Sequence, residues 1–170
     1  MSSLLHSEEN FGIVVHGGAG VMSGLSEERQ QQIHKKIQET VSEAYEILEK
    51  GGSSLDAVEL AVSMLEDSPL FNAGRGSVYN SDEVQEMDAS IMDGKNRLTG
   101  AVASVSIVKN PSKLARKVAE ETKHVLLVGE GAERFAKDIG VDIVKRNYFY
   151  HEERLKSCLL YTSDAADEAI

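Results

Sequence analysis

A glycine-containing loop followed by an alternating segment, within residues 65–94, constrains the fold of this chain more than any other feature. Gly74 and Gly76 can adopt backbone conformations and close approaches that other residues avoid. They follow Asn72, whose side chain can bond to the backbone or point into a site. Apolar and polar residues then alternate from residue 87, which predicts a β-strand. Its apolar face would hold Met87, Ala89 and Ile91. We interpret Asp88 and Asp93 as solvated or turn-forming carboxylates.

Helical periodicity predicts two amphipathic helices before this loop. Ser26 is a typical N-cap, and Gly51 suits the end of the first helix. We expect a second helix to begin near Ser53 or Ser54. The inward positions are Ile33, Ile37, Val41, Ala44 and Leu48 in the first helix and Ala57, Leu60, Ala61, Met64 and Leu65 in the second. Ahead of them, the apolar residues 11–15 predict a buried strand that enters the glycine turn 16–20.

The second half of the chain predicts alternating strands and helices. Residues 98–108 alternate and predict a strand, and Pro111 suits the first turn of a helix that ends near residue 122. Residues 125–128 predict a brief buried strand, and residues 129–139 a further helix. One face of the strand 98–108 would hold Ala101, Ala103, Val105 and Ile107, and the last helix would turn Ala132, Phe135, Ala136 and Ile139 inward.

Composition narrows the class of protein. With 170 residues, 41% of them hydrophobic and 27% charged, the chain suits one globular domain. A net charge of −10 argues against a nucleic-acid partner. We expect no membrane partner, because no apolar run could span a bilayer. Residues 1–10, which we expect to be flexible, lack the features of a secretory signal. The single cysteine, Cys158, fits a reducing compartment, so we expect a cytoplasmic location.

Five sequence blocks, in order, resemble the isoaspartyl peptidase/L-asparaginase family, the plant-type asparaginases. They are VHGGAG at residues 15–20, PLFNAGRGS at 69–77, MDASIMDG at 87–94, GAVA at 100–103, and NP at 110–111 followed by LAR at 114–116. The resemblance covers the N-terminal portion of the family, from about residue 11 to 155. It implies an α/β (α+β) fold, the first half of a four-layer αββα N-terminal-nucleophile hydrolase sandwich, truncated.

The resemblance also implies a chemistry. Members cut themselves immediately before a threonine, whose hydroxyl becomes the nucleophile and whose freed amine serves as the base. The full-length protein would release aspartate from L-asparagine and β-aspartyl dipeptides. The nucleophile lies in a Gly-Thr-Val-Gly type motif that this chain lacks, so we expect the fragment to be inactive. The threonines of this chain all lie outside such a motif: Thr40, Thr99, Thr122 and Thr162.

Some supporting residues carry over from the family. Asn72 matches the asparagine that helps to position the nucleophile, and Gly17 and Gly18 match the glycine turn beside the cleavage point. The resemblance implies no organic cofactor, but it implies a structural sodium ion held by backbone carbonyls. Those carbonyls would belong to Leu65, Glu66, Ser68, Phe71, Ala73 and Arg75. The implied partners are a small-molecule or dipeptide substrate, the β-subunit portion of the same precursor, and a second αβ unit in a dimer.

We expect three segments: a flexible N-terminus at residues 1–10, the partial asparaginase domain at residues 11–157, and a non-native tail at residues 158–170. Within the tail, CLLYTSDAADE at residues 158–168 resembles translated adapter from sequencing-library preparation. The alternative is a genuine short helix with a Ser-Asp cap. For function, three alternatives remain open: a glycosylasparaginase-like fragment, an anion-binding α/β module that uses the turn 16–20, and a non-catalytic chain that pairs with an intact partner.

Overall fold

Three strands form one mixed sheet in the computed structural model, which describes residues 11–18 and 24–167, with side chains through residue 160. The strands are β1 (Met87–Asp93), β2 (Leu98–Val105) and β3 (Leu126–Val128). β1 and β2 form an antiparallel hairpin, and β2 pairs with β3 in parallel. The helices are α1 (Glu27–Glu49), α2 (Ser54–Glu66), α3 (Pro111–Glu121), α4 (Gly129–Asp138) and α5 (Glu152–Asp167). The fold class is therefore mixed α/β, as predicted.

The helix boundaries follow their capping residues. The hydroxyl of Ser26 accepts a hydrogen bond from Arg29 N at 3.2 Å, and that of Ser53 accepts one from Asp56 N at 3.1 Å. Gly51, at φ +79°, follows the end of α1 in a conformation that favours glycine. These contacts confirm the N-cap predicted at Ser26, the predicted start of the second helix and the predicted end of the first helix.

Among the described residues, two separate groups of apolar side chains are buried. The larger lies between the sheet, α3 and α4 and includes Val102, Val105, Leu114 and Val118. The smaller lies between α1 and α2, around Ala44, Ala57 and Ala61. The helical periodicity correctly predicts the buried positions Ala44, Ala57 and Ala61 in the smaller group and Ala132 and Ala136 in the larger. Among the described residues, no helix combines the length and the apolar character required to cross a bilayer.

The predicted strand at residues 11–15 is wrong. Within the described segment 11–18 no strand forms, and Val14 is 96% exposed. Ile13 and Val15 instead pack against the small cluster between α1 and α2. A strand requires a neighbour for its backbone hydrogen bonds, and this segment lies on helices. Residues 1–10 and the end of the glycine turn, residues 19–20, lie outside the described residues.

Two further expectations about strands also fail. The strand predicted at 98–108 ends at Val105. Its predicted alternation also breaks, because a β-bulge places Val102 and Val105 together in the core while Ala101 and Ala103 face the other side. β3 is not buried: Leu126 and Val128 are 50% and 54% exposed. β3 pairs within the described sheet only with β2, and the face that it shares with Ala101 and Ala103 is uncovered.

The segment that we expect to be non-native continues a helix. α5 runs from Glu152 to Asp167 and therefore includes residues 158–167. The alternative of a short helix with its own Ser-Asp cap would begin near Ser163, whereas α5 passes through that position. The origin of the segment stays a prediction.

Candidate functional site

The loop between α2 and β1 holds most of the predicted site residues, and its two glycines allow it to fold back on itself. Gly74 has φ +49° and opens a 3₁₀ turn, Gly74–Gly76. A Cβ on Gly74 would overlap the carbonyl oxygen of Glu66, and one on Gly76 would overlap that of Phe71. Only glycine fits these positions without moving the backbone. The sequence prediction of a tight glycine turn is confirmed.

Asn72 lies at the surface of this loop with its side chain fixed. Its Oδ1 accepts a hydrogen bond from Val78 N at 3.0 Å. The side-chain amino group is then the end that can donate to a ligand. Gly17 packs beside the loop, because a Cβ on Gly17 would lie 3.0 Å from the Phe71 ring and from Ile37 Cδ1. The structure therefore brings the first glycine block next to the Asn72 loop.

Gly18 differs from Gly17. It has φ +106°, and a Cβ there would meet nothing within 4 Å. Its N–H donates to Nδ1 of His16 at 3.3 Å, so this amide is engaged locally. The requirement for glycine at position 18 is thus conformational in the described structure. The predicted place of both glycines beside a cleavage point stays a prediction.

A cavity of about 220 Å³ lies between the Asn72 loop, the start of β1 and the start of α3. Three of the side chains that line it accept hydrogen bonds from backbone amides of three different segments. Asn72 accepts from Val78 as above, Asp88 Oδ1 accepts from Ser104 N at 2.8 Å, and Glu66 Oε1 accepts from Ser112 N at 3.0 Å. These bonds hold the walls of the cavity in place.

Glu66 is a carboxylate in an unusual position. It is 4% exposed, and its Oε2 accepts a second hydrogen bond from Ser112 Oγ at 2.8 Å. Burial raises the pKa of Glu66 above its ordinary value, while the Ser112 bonds act in the opposite direction. Ser112 is the second residue of α3, so the carboxylate from α2 caps the N-terminus of α3.

Asp67, the next residue, anchors the loop to the rest of the protein. Its carboxylate accepts from Lys109 Nζ at 3.2 Å, Asn110 Nδ2 at 3.2 Å and the Tyr148 hydroxyl at 3.3 Å. Arg75 from the same loop lies over the Tyr148 ring, 5.3 Å from its centroid. The hydrogen bond from Lys109 to Asp67 raises the pKa of Lys109. Both ends of the loop are therefore tied to the segments around α3 and residue 148.

The loop can be tested for the implied sodium ion. No group of three or more His, Cys, Asp or Glu side chains in the described ranges could hold a metal. A cation here would depend on backbone carbonyls, which suit a hard monovalent ion. The glycines leave the carbonyls of Glu66 and Phe71 room beside the turn, whereas the carbonyls of Leu65 and Ala73 already accept from Ser68 N and Gly76 N. The sodium ion and its assignment to the following carbonyls stay a prediction: Leu65, Glu66, Ser68, Phe71, Ala73 and Arg75.

Sequence reasoning missed the side-chain roles of Glu66 and Asp88. Glu66 was expected to contribute only its carbonyl, and its place off the apolar stripe of α2 gave no sign of burial. Asp88 is exposed, in agreement with its interpretation as solvated, but its carboxylate also accepts a hydrogen bond from Ser104 N across the hairpin. The interpretation of Asp93 is confirmed, because it accepts from Lys95 N at 2.9 Å and from Asn96 Nδ2 at 2.8 Å in the β1–β2 turn.

A second cavity, of about 320 Å³, contains none of the predicted site residues. It lies between residues 79–85 and residues 146–150 and is lined largely by aromatic and polar side chains, including Tyr79, Gln85, Arg146 and Phe149. It is larger than the cavity beside Asn72. Size alone does not assign function, and the smaller cavity is the one that collects the residues of three sequence blocks.

Comparison with known proteins places these features in a family. A family model described as Asparaginase matches residues 9–168, which includes most of the segment 158–170. The isoaspartyl peptidase/L-asparaginase of Rattus norvegicus is 53% identical over 129 residues, covering 76% of this chain and 38% of the relative.

Two further relatives agree. The plant-type L-asparaginase of Pyrococcus furiosus is 55% identical over 128 residues, covering 75% of this chain and 41% of the relative. The human isoaspartyl peptidase/L-asparaginase is 49% identical over 129 residues, covering 76% of this chain and 41% of the relative. The chain thus spans about two fifths of the length of these curated relatives. With the family model matching nearly all of its residues, the chain belongs to the asparaginase family.

Proposed function

We propose that this chain is the N-terminal portion of a self-cleaving threonine hydrolase that releases aspartate from β-aspartyl dipeptides and L-asparagine. The observation that carries the proposal is the meeting of two distant blocks: Gly17 packs on Phe71, directly beside Asn72. The relatives named isoaspartyl peptidase/L-asparaginase support the reaction class, an amide hydrolysis.

In this proposal Asn72 is a positioning group. Its Oδ1 is held by Val78 N, so its amino group can donate to the hydroxyl of an incoming threonine. A hydroxyl is a weak nucleophile until a base accepts its proton. In the mechanism that the family resemblance implies, this base is the threonine's own freed amine. Asn72 would fix the hydroxyl in the orientation required for attack on the substrate amide.

The nucleophile would come from the portion of the protein that the relatives have and this chain lacks. Among the described threonine side chains, Thr40 is buried and its hydroxyl donates to Lys36 O at 2.8 Å. The Thr122 hydroxyl donates to Val118 O at 2.8 Å. Both hydroxyls thus donate to local backbone carbonyls. The backbone nitrogen of each residue is part of a peptide bond, whereas an N-terminal nucleophile needs a free amine. We therefore expect the 170-residue chain alone to be inactive.

The missing portion would also cover the open face of the sheet. This face carries Ala101, Ala103, Leu126 and Val128, together with Met92, which is 73% exposed. An apolar sheet face normally packs against another layer. We propose that the β-subunit portion of the same precursor supplies that layer, that two αβ units then form a dimer, and that the protein is cytoplasmic. A sodium ion in the loop would brace the backbone around Asn72 and take no part in the chemistry.

The test is a chimera. Residues 1–157 are joined to the C-terminal portion of the rat relative that follows the aligned region, and self-cleavage is followed by mass spectrometry. Aspartate release is then measured from a β-aspartyl dipeptide and from L-asparagine. We expect cleavage and release by the chimera, none by the 170-residue chain, and reduced turnover for Asn72→Ala. A soluble chimera that neither cleaves nor releases aspartate would refute the proposal.

A further inference from the structure

The paired strands β1 and β2 contain one non-glycine residue with a positive φ, at the place where their pairing register changes. Met87 pairs with Val105, but Ala89 pairs with Val102, so β2 holds one more residue than β1 in this interval. Within it, Ser104 has φ +51°, in the left-handed region that residues other than glycine seldom adopt. The hairpin therefore has a β-bulge whose extra residue requires support from its surroundings.

The support comes from Asp88. Its Oδ1 accepts a hydrogen bond from Ser104 N at 2.8 Å, which satisfies an amide that the bulge removes from regular pairing. Asp88 also lines the cavity that contains Asn72, next to Glu86 and Met87. The same side chain thus touches both the strained backbone and the candidate site.

The bulge determines how the strands continue past the cavity. It allows Val102 and Val105, three residues apart, to enter the same core. Immediately beyond it, Ser106 bonds to α4 through Glu133 Oε1, which accepts from Ser106 N at 2.7 Å and from Ser106 Oγ at 3.1 Å. Loss of the bulge would change the register of β1 against β2 and would move the wall of the cavity formed by Glu86 and Met87.

We propose that Asp88 is a positioning residue for this site: its carboxylate holds the left-handed bulge at Ser104 and thereby fixes the wall of the cavity that Asn72 also lines. The inference deepens the proposed function and rests on it for its kinetic readout. The alternative is that Asp88 acts directly on the substrate. In that case turnover would depend on Asp88 whatever the conformation of Ser104.

Glycine at position 104 separates these possibilities, because glycine adopts positive φ without a side-chain penalty. The variants are Asp88→Ala, Asp88→Asn, Ser104→Gly and the double variant Asp88→Ala with Ser104→Gly. Asp138→Ala, an exposed aspartate at the end of α4, is the matched control. Urea midpoints and hydrogen–deuterium exchange over residues 72–78 are measured in the 170-residue chain, and kcat and KM in the chimera.

We expect Asp88→Ala to lower the urea midpoint, to speed exchange in residues 72–78, and to reduce kcat by about tenfold with a much smaller change in KM. Asp88→Asn, which retains the Oδ1 acceptor, should recover most of these losses, and so should Ser104→Gly in the double variant. Asp138→Ala should resemble the parent chain in all three measurements.

Three outcomes overturn the inference. If Asp88→Ala leaves the midpoint and the exchange unchanged, the bulge does not depend on this carboxylate. If Ser104→Gly restores the midpoint but not kcat, Asp88 acts on the substrate directly. If Asp88→Asn is as impaired as Asp88→Ala, the charge matters and not the hydrogen bond. A parent chimera without activity refutes the proposed function instead, and the exchange over residues 72–78 then decides whether Asp88 positions the loop.

Discussion

Replacing Glu66 by alanine should lower the free energy of unfolding of the chain by about 2–4 kcal/mol. The carboxylate accepts two hydrogen bonds from Ser112, at 3.0 and 2.8 Å. A hydrogen bond to a charged group contributes about 1.5–3 kcal/mol. The full sum is not expected, because alanine also removes a buried charge whose raised pKa reflects a desolvation cost.

Glutamine at position 66 provides the discriminating comparison. Its side-chain oxygen can accept from Ser112 N, and its amino group can donate to Ser112 Oγ, which is able to accept. Glu66→Gln therefore keeps both hydrogen bonds and loses only the interaction of the charge with the N-terminus of α3, which the relief of desolvation offsets. We expect a loss below about 1 kcal/mol.

Urea unfolding followed by far-UV circular dichroism gives the midpoints, and a common m-value permits their comparison. Glu43→Ala, on the exposed side of α1, is the control and should change stability by no more than about 0.5 kcal/mol. A double-mutant cycle with Ser112→Ala should give an interaction energy of about 1 kcal/mol. The reasoning is refuted if Glu66→Gln is as destabilising as Glu66→Ala, or if the cycle shows no interaction.

The remaining predictions concern packing, pH and the open sheet face. Gly100→Ala should lower the free energy of unfolding by about 3 kcal/mol or more. Its Cβ would overlap Ala115 O and lie 2.5 Å from Ala119 N, which would force α3 away from β2. Gly94→Ala, whose Cβ would meet nothing within 4 Å, is the control for the urea midpoint. The pKa of Asp56 is lowered by the Ser53 hydroxyl and then by Arg116, so its contribution is present above the ordinary value of 3.8 and is lost as the pH falls through the lower folded value. Asp56→Asn should remove that part of the acid decline, less than about 1 kcal/mol because the side chain is 46% exposed; an unchanged acid profile would contradict this. Leu126→Ser combined with Val128→Ser should reduce sedimentation of large species while changing the unfolding free energy by less than about 0.5 kcal/mol, and unchanged sedimentation would show that the open face does not drive association.

Local signals in the sequence predicted what depends on local physics. Ser26 and Ser53 mark the starts of α1 and α2, because an N-cap acts within a few residues. The alternation of residues 87–91 placed Met87 and Ile91 in the core. The glycine turn after Asn72 was likewise predictable, since its constraint lies in the residues themselves.

The errors share a different physical origin. Whether residues 11–15 form a strand depends on a neighbour that the sequence does not reveal, and the segment packs on helices instead. The burial of β3 depends on what covers its face. The break in the alternation of β2 comes from the bulge at Ser104, which is stabilised by Asp88, sixteen positions earlier in the chain. The burial of Glu66 follows from its contact with the start of α3.

The separation of the two apolar clusters indicates which part of the chain unfolds first. Apart from Leu55, which reaches the larger cluster, the α1–α2 hairpin is joined to the sheet largely through polar contacts. Arg116 on α3 bonds to Asp56 at 2.8 Å and lies 3.4 Å from Glu59 on α2. Charged contacts at a surface weaken as ionic strength rises. The α1–α2 hairpin should thus open locally before the chain unfolds as a whole, and salt should make that local opening more frequent.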